Sequence, residues 1–340
     1  MEKSSSKQRW IKHLIGVSVT LLCLLVLFFQ IDLSDVLEAL TGFQWVYLIF
    51  GVMSLAFGYI FRIVRWSMML KATGANASFR DCSAPFLGAI ALNNVLPLRL
   101  GDFVRALVFP KAMGIAKTTA TSSLIVERLL DLMTLLICLV IGIFAAHAIA
   151  LPVEIKSSLL SLGIVCVFVA MLIFLFSDSL SRFFSSMAGK STGTSSTRLQ
   201  QIYAVLSKLL KSLNAMSRPR VLLLMLLVSI LVWTGETGLF YLVLLGVGIE
   251  SSFWIALFVM AVATLSTLLP SSPGYVGPFH LAAFTAISLT DGSTAQAAGY
   301  AILVHLSLWL PTTIAGALAI WLKPGLFHVS QYKYLKSGKK

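Results

Sequence analysis

Six charged residues lie close together in an otherwise apolar part of the sequence. They are three basic and three acidic side chains, namely Arg99, Asp102, Arg105, Glu127, Arg128 and Asp131. The first three are spaced three apart, which would place them on one face of a helix. A charge at the centre of a bilayer costs about 3 kcal/mol on insertion scales. The six, whose formal charges cancel, must therefore pair with one another or face a wet cavity.

Two kinds of chemistry fit this cluster. Arginines released from carboxylate partners bind phosphate well, because the planar guanidinium group offers two parallel N–H donors. In that interpretation Arg99, Arg105 and Arg128 hold an anionic lipid headgroup, with Asn93 and Asn94 as neutral donors. Asp102, Glu127 and Asp131 would then be charge partners that hold the arginines when the site is empty. The alternatives are a static ionic strut, since charges in membranes normally pair, and asparagines that cap a helix.

Glu236 and His280 are candidates for carrying protons. Glu236 has no charged neighbour within one helical turn, and an isolated carboxylate in apolar surroundings favours its neutral form. His280 lies in another apolar segment, as does His305. The alternatives are a neutral glutamic acid that hydrogen-bonds between helices and histidines with a packing role. The histidine spacing is not that of a metal pair on one helix, so we predict no metal site.

The composition is that of a protein with several membrane spans. Apolar residues make up 58% of the 340 and charged residues only 11%, and several apolar runs are near the twenty residues that cross a bilayer. Such runs cannot be hidden in a water-soluble core. The predicted full spans are 14–29, 45–61, 119–146, 157–176, 221–245 and 296–322.

Two apolar segments are interrupted by the same pattern, Leu-Pro-x-x-x-Gly. They are hairpin A, residues 83–110, and hairpin B, residues 253–289. The residues expected to break the helices are Pro97, Gly101, Pro270, Pro273, Gly274 and Gly277. Lipid offers no water to unpaired backbone groups, so such breaks are tolerated only inside protein or beside a cavity. Paired breaks in the two halves of a chain point to a transport site.

Lysine and arginine mark the segments expected on the cytoplasmic side. They concentrate before the first span, in 61–82, in 177–220 and from Lys323 onward. This predicts a multi-pass protein of the cell (inner or plasma) membrane with both termini in the cytoplasm. The net charge of +13 then reflects this orientation and attraction to anionic lipid, not nucleic-acid binding.

Under this orientation hairpin A starts and ends inside, whereas hairpin B starts and ends outside. Both would be re-entrant, entering from opposite faces. The spacing from Pro97 to Glu127 equals that from Pro270 to Tyr300, which fits an inverted repeat of hairpin and span. The alternative is that each broken segment forms two short full spans.

The predicted fold class is an all-α polytopic membrane protein with about six full spans and two oppositely oriented re-entrant helical hairpins. We expect one membrane domain over residues 1–322. Within it, residues 177–218 would be a Ser/Thr/Gly-rich cytoplasmic linker followed by an amphipathic helix. That helix would lie on the inner membrane surface or pack on other cytoplasmic segments. Residues 323–340 would form a basic cytoplasmic tail.

Four motifs in order carry a family resemblance. They are Arg62-Ile63-Val64-Arg65-Trp66, the run from Asn93 to Asp102 with Arg105, Glu127-Arg128-Leu129-Leu130-Asp131, and the run from Pro270 to Gly277. From about residue 10 to 322 the chain resembles the lysylphosphatidylglycerol synthase transmembrane-region family. The resemblance implies an integral membrane protein that moves phospholipids or polyprenyl-linked glycolipids between leaflets. One departure is His280, where many relatives carry an acidic residue.

Residues and resemblance together predict a flippase-like transporter of an anionic phospholipid or polyprenyl-linked lipid, and not an enzyme. About 18 residues follow the last span, so we expect no aminoacyltransferase domain and no synthase activity. No glycine-rich nucleotide loop is present, and we expect no cofactor. Expected partners are lipids with an anionic headgroup and a lipid-modifying enzyme or glycosyltransferase, but no nucleic acid. The alternatives are a membrane-embedded transferase acting on a polyprenyl-phosphate lipid and a non-transporting scaffold.

Overall fold

The part of the chain described by the computed structural model is helical throughout. It comprises residues 18, 20–27, 29, 40–146, 152–189, 198–269, 271–290 and 293–326. Residues 20–27 are helical and precede eleven further α-helices, with short 3₁₀ turns between some of them. The predicted all-α class is therefore confirmed.

The helices fall into two similar sets joined by a central pair. The first set is α1 (Trp45–Ala72), α2 (Phe79–Val95), α3 (Leu100–Leu107), α4 (Phe109–Met113) and α5 (Lys117–Ala145). The central pair is α6 (Val153–Gly189) and α7 (Arg198–Met216). The second set is α8 (Pro219–Gly246), α9 (Phe253–Ser266), α10 (Pro278–Ser288) and α11 (Thr294–Leu322).

Four helices in the described ranges are long and apolar enough to cross a membrane, namely α1, α6, α8 and α11. Helix α5 has a similar length of 29 residues but carries Glu127, Arg128 and Asp131. Of the predicted first span, 14–29, the structure describes residues 18, 20–27 and 29, and residues 20–27 are helical. Helix α1 runs to Ala72, beyond the predicted end at residue 61. Arg62 and Arg65, which the charge pattern counted with a cytoplasmic segment, therefore lie within this helix.

Both predicted interruptions are breaks in the helices. Break A, residues 96–99, separates α2 from α3: Leu96 is extended, as a residue before proline prefers, and Leu98 and Arg99 adopt left-handed φ values of 59° and 53°. Break B, residues 267–277, separates α9 from α10 and has left-handed conformations at Gly274, Tyr275 and Gly277. Left-handed backbone at a non-glycine residue costs about 1–3 kcal/mol and is common at functional sites.

Two of the predicted break residues need separate comment. Pro270 lies outside the described residues. Gly101 lies inside α3 and not in the break itself. Its lack of a side chain allows α3 to approach α2 closely, because a Cβ there would overlap the carbonyl oxygen of Ala89 in α2.

The two sets of helices pack in a matching way. Helices α1 and α8 each have 28 residues and run antiparallel along one another. Gly51 lies against Leu239, and Gly58 lies against Val232. Helix α2 packs on α11 and helix α9 packs on α5. Each hairpin therefore places its first arm on the long helix that follows the other hairpin.

The prediction of a flexible linker that begins at residue 177 is partly wrong. Residues 177–189 continue helix α6 and are not a loop. An i,i+4 ion pair of 2.9 Å between Asp178 and Arg182 supports this extension. Asn214 of α7 also donates to Asp178 at 3.0 Å, so the two helices pack side by side. Residues 190–197 of the predicted linker lie outside the described residues.

Candidate functional site

A cavity of about 530 Å³, here called the central cavity, lies where breaks A and B meet. Helices α1, α2, α5, α8, α9, α10 and α11 complete its walls. Five charged side chains line it, namely Arg62, Arg99, Arg128, Asp131 and Glu236. Three arginines face two carboxylates, so the charged lining carries a surplus of one positive charge.

Arg99 joins the two breaks directly. Its Nη2 atom donates to the carbonyl oxygen of Thr267 at 3.0 Å and to the Thr267 hydroxyl at 2.9 Å. Its guanidinium group also lies over the ring of Tyr275, 5.3 Å from the centroid. None of the carboxylates in the described part of the chain forms an ion pair with Arg99. Arg99 is thus a cavity cation held by neutral partners.

Arg128 has three carboxylates nearby but none at short distance. Its guanidinium nitrogens lie 3.3 Å from Asp102, 3.4 Å from Glu127 and 3.7 Å from Asp131. Charge-assisted hydrogen bonds of full strength are 2.7–2.9 Å long, so each of these contacts is a weak one. The side chain of Arg128 is also 37% exposed. It can therefore be drawn to an anion in the cavity at modest cost.

Arg105, the third arginine of the predicted headgroup site, lies away from the central cavity. Arg105 is paired with Glu127 at 2.8 Å, and the two side chains are 2% and 3% exposed. Its guanidinium group lies near the rings of Trp66 and Phe86, 5.0 and 4.8 Å from their centroids. Neither Arg105 nor Glu127 lines the central cavity. The pair matches the ionic strut that was the alternative interpretation, here joining α3 to α5.

Glu236 is not the isolated carboxylate that the sequence indicated. Arg62 of α1 lies 2.5 Å from it, and the Thr264 hydroxyl donates to it at 3.3 Å. Arg62 also lies over the ring of Trp233, 4.6 Å from the centroid. Sequence inspection found no neighbour because the partner comes from the other half of the chain.

Asp131 is shared between the cavity and the protein interior. It lines the cavity, and the buried Arg65 of α1 donates to it at 2.6 Å. Arg65 also donates to the hydroxyl of Ser229 in α8 at 2.7 Å. Asp131 therefore has a committed partner as well as its weak contact with Arg128.

Asn93 and Asn94 both line the cavity at the end of α2. Asn93 accepts from the backbone N–H of Asp102 and donates to its carboxylate, both at 3.0 Å. Asn94 donates to the hydroxyls of Thr312 and Thr313 in α11 at 3.0 and 2.9 Å. Both amides thus fasten hairpin A, and Asn94 fastens it to the second half of the chain.

His280 and His305 lie side by side behind break B. Their ring centroids are 4.5 Å apart, and Nε2 of His305 lies 2.7 Å from the carbonyl oxygen of Gly274. Only His305 lines the central cavity. His280, the candidate proton carrier, does not line the cavity itself and contacts His305, which does.

Three contact residues were not found by sequence reasoning: Arg62, Thr267 and Tyr275. Arg62 was counted among the cytoplasmic charges. A signal was nevertheless present, because Arg62 and Arg65 are spaced three apart and adjoin an apolar run. Tyr275 lies in the motif from Pro270 to Gly277, which could have marked it, whereas Thr267 carried no charge or pattern of this kind.

The fold and the cavity define an integral membrane protein with a charged cavity between two broken helices. The chain belongs to the lysylphosphatidylglycerol synthase TM region family, whose family model matches residues 13–316. This confirms the resemblance in the four sequence motifs. No solved structure matches the chain.

Two curated relatives come from archaea. Glycosyltransferase AglD of Haloferax volcanii is 25% identical, with 88% of this chain and 53% of AglD covered. The chain thus spans about half the length of that relative. UPF0104 membrane protein MJ1078 of Methanocaldococcus jannaschii is 21% identical, with 73% of this chain and 97% of the relative covered.

Proposed function

We propose that this protein is a flippase-like transporter that moves an anionic lipid between leaflets and has no catalytic activity of its own. The observation that carries the proposal is Arg99, a cavity arginine at the contact of the two breaks that has no carboxylate partner in the described part of the chain. A lipid phosphate would bind Arg99, with Arg128 as the second cation. Asn94 and Tyr275 lie beside them in the cavity.

The charge distribution favours an anionic over a zwitterionic headgroup. The two carboxylates that line the cavity already have arginine partners, Glu236 with Arg62 and Asp131 with Arg65. An ammonium group would have to displace one of these buried arginines, which is costly. A phosphate meets the surplus positive charge without displacing either pair.

The mouth of the cavity is suited to a lipid. Ile125 and Leu268 line the central cavity yet are 41% and 58% exposed. Leu98, next to Arg99, is exposed as well. A cavity with a few charged side chains and a rim of exposed apolar ones opens toward hydrocarbon more favourably than toward water. The headgroup would enter between hairpin A and hairpin B while the tails stay in the bilayer.

The helix lengths support re-entrant hairpins. Helices α9 and α10 have 14 and 11 residues, and each is shorter than the roughly 20 residues that cross a bilayer. Helices α3 and α4 are shorter still. Hairpin B would enter from outside and hairpin A from the cytoplasm, with both termini cytoplasmic and the protein in the cell membrane.

The packing supports an inverted repeat. Helices α1 and α8, which precede the two hairpins, are equal in length and antiparallel. Helices α5 and α11, which follow the hairpins, have 29 residues each. Transport would then be a rocking of one half against the other about the central cavity, as inverted-repeat transporters allow.

A second candidate function is a role in lipid glycosylation. The relative AglD favours it, since that protein is named a glycosyltransferase. In this reading the cargo is a polyprenyl-linked lipid, or the chain is a membrane scaffold for a lipid-modifying enzyme. In either case the lipid would carry the phosphate group that Arg99 would bind.

Transport is tested in proteoliposomes with fluorescent phosphatidylglycerol, whose outer-leaflet fraction is bleached by dithionite. Removing a charge-assisted hydrogen bond costs about 1.5–3 kcal/mol, so Arg99→Ala should slow leaflet exchange about tenfold or more. Arg99→Lys should retain part of the rate, and Arg182→Ala, at an exposed arginine of α6, serves as the matched control. Unchanged exchange in a folded Arg99→Ala protein would refute the proposal.

A further inference from the structure

A separate groove lies between α5 and α6, outside the central cavity. It has a volume of about 410 Å³, and its lining is formed by apolar side chains and one glycine. Leu136 and Val140 contribute from α5, while Gly163, Val167 and Met171 contribute from α6. None of the charged or polar residues of the central cavity takes part in this lining.

An apolar stripe along α5 connects the groove with the central cavity. Ile125, Leu129 and Leu132 line the cavity, and Leu136 and Val140 line the groove. Successive members are three or four residues apart, so all five lie on one face of the helix. From the first to the last the helix rises about 22 Å, which is most of the roughly 30 Å hydrocarbon core.

Gly163 lies in the wall of the groove opposite Val140. A Cβ at this position would come 3.5 Å from the Cγ2 atom of Val140, which is ordinary contact distance. The absence of a side chain at Gly163 therefore leaves this part of the groove open, and any side chain larger than alanine would enter it.

We propose that this groove binds one hydrocarbon chain of the lipid whose headgroup lies at Arg99. The inference rests on the proposed function. The apolar stripe of α5 runs from the central cavity to the groove. A lipid whose headgroup is bound in the cavity could therefore lay one hydrocarbon chain along this stripe and into the groove. Lipid tails are as apolar as leucine, so shape fit and dispersion contacts, not the hydrophobic effect, would hold the chain there.

The test uses phosphatidylglycerol with a diazirine in one acyl chain, photolysed in proteoliposomes containing the full chain. Cross-linked positions are mapped by peptide mass spectrometry. We expect labelling of Val167 and Met171 in the groove to exceed labelling of Val165 and Val169, which face outward on α6. Arg99→Ala should reduce the groove labelling severalfold and leave outward labelling unchanged.

Blocking variants provide the second measurement. Gly163→Phe and Val140→Phe should both suppress groove labelling, whereas Val165→Phe on the outward side should not. If both faces of α6 were labelled equally, and Arg99→Ala did not change the labelling, the label would come from ordinary bilayer lipid. This outcome would overturn the inference. Cross-linking of a second copy of the chain through the groove in place of lipid would also overturn it.

A short-chain analogue separates this inference from the proposed function. Dihexanoyl phosphatidylglycerol carries the headgroup but cannot reach along α5 to Val140. If it binds in an Arg99-dependent manner and the groove stays unlabelled, the chain site is wrong and the headgroup site stands. If it does not bind and the groove labelling is independent of Arg99, the headgroup site fails as well.

Discussion

Arg62 and Glu236 form an ion pair of 2.5 Å although they lie in different halves of the chain. Arg62 comes from α1 and Glu236 from α8, the two antiparallel helices that precede the hairpins. The pair lines the central cavity and lies against the ring of Trp233. One contact therefore joins the two halves of the fold at the wall of the site.

Breaking this pair should destabilise the protein. Glu236→Ala leaves Arg62 buried without its carboxylate, and removal of one partner of a buried pair costs about 3–5 kcal/mol. The double variant Arg62→Met, Glu236→Leu should recover most of that loss, because the charge and its desolvation are removed together. Thermal unfolding in detergent measures both. If Glu236→Gln abolished transport at unchanged stability, a proton-carrying role would be the better account.

The Arg105–Glu127 pair should matter for folding more than for lipid binding. Both side chains are almost fully buried away from the cavity, so Glu127→Ala should lower stability by about 3–5 kcal/mol. Arg128→Ala should cost less, since the side chain of Arg128 is 37% exposed and its contacts are long. A double-mutant cycle on Arg105 and Glu127 should give a coupling of about 0.5–3 kcal/mol. Coupling near zero would contradict the strut.

Gly101 should not tolerate alanine. The added Cβ would overlap the carbonyl oxygen of Ala89, and overpacking costs about 1–3 kcal/mol or more. Gly163→Ala is the matched control, because its Cβ finds ordinary contact with Val140 and alanine in a helix gains about 0.5–1 kcal/mol over glycine. The melting temperature should fall in Gly101→Ala and rise in Gly163→Ala. Equal shifts would mean that α2 and α3 can separate at this point without cost.

Thr267 should compete with the lipid for Arg99. Thr267→Val removes the hydroxyl acceptor at 2.9 Å, and a hydrogen bond of this kind contributes about 0.5–1.5 kcal/mol. Headgroup binding should therefore strengthen about two- to tenfold. Binding of dihexanoyl phosphatidylglycerol, measured by calorimetry, checks this. Thr121→Val, outside the cavity in α5, should leave the affinity unchanged, and weaker binding in Thr267→Val would argue against competition.

The breaks could be predicted from the sequence because their cause is local. Pro97 removes a backbone donor and constrains the residue before it, so the end of α2 follows from one residue type. The hairpins were expected to enter from opposite faces, and Arg99 of break A does contact Thr267 of break B. The left-handed conformation of Arg99 was not foreseen, and it turns Arg99 away from the helical face that Asp102 and Arg105 share.

The pairing of the charges could not be predicted, because it depends on how distant helices pack. Sequence spacing placed Arg105 with the headgroup arginines, whereas the rings of Trp66 and Phe86 cover it in the folded protein. The charge pattern likewise placed Arg62 in a cytoplasmic segment after the predicted span 45–61. The helix continues to Ala72, and Arg62 lines the cavity from within it.

The glycine contacts between α1 and α8 have a mechanical consequence. At Gly58 and Gly235 the two backbones touch with no side chains between them, so their separation at that height is fixed. In the proposed rocking motion, a tilt of either half would turn about this point, which would act as a fulcrum. Small angular changes there become larger displacements at the hairpin tips, and bulkier residues at the fulcrum would splay the halves without altering a single cavity residue.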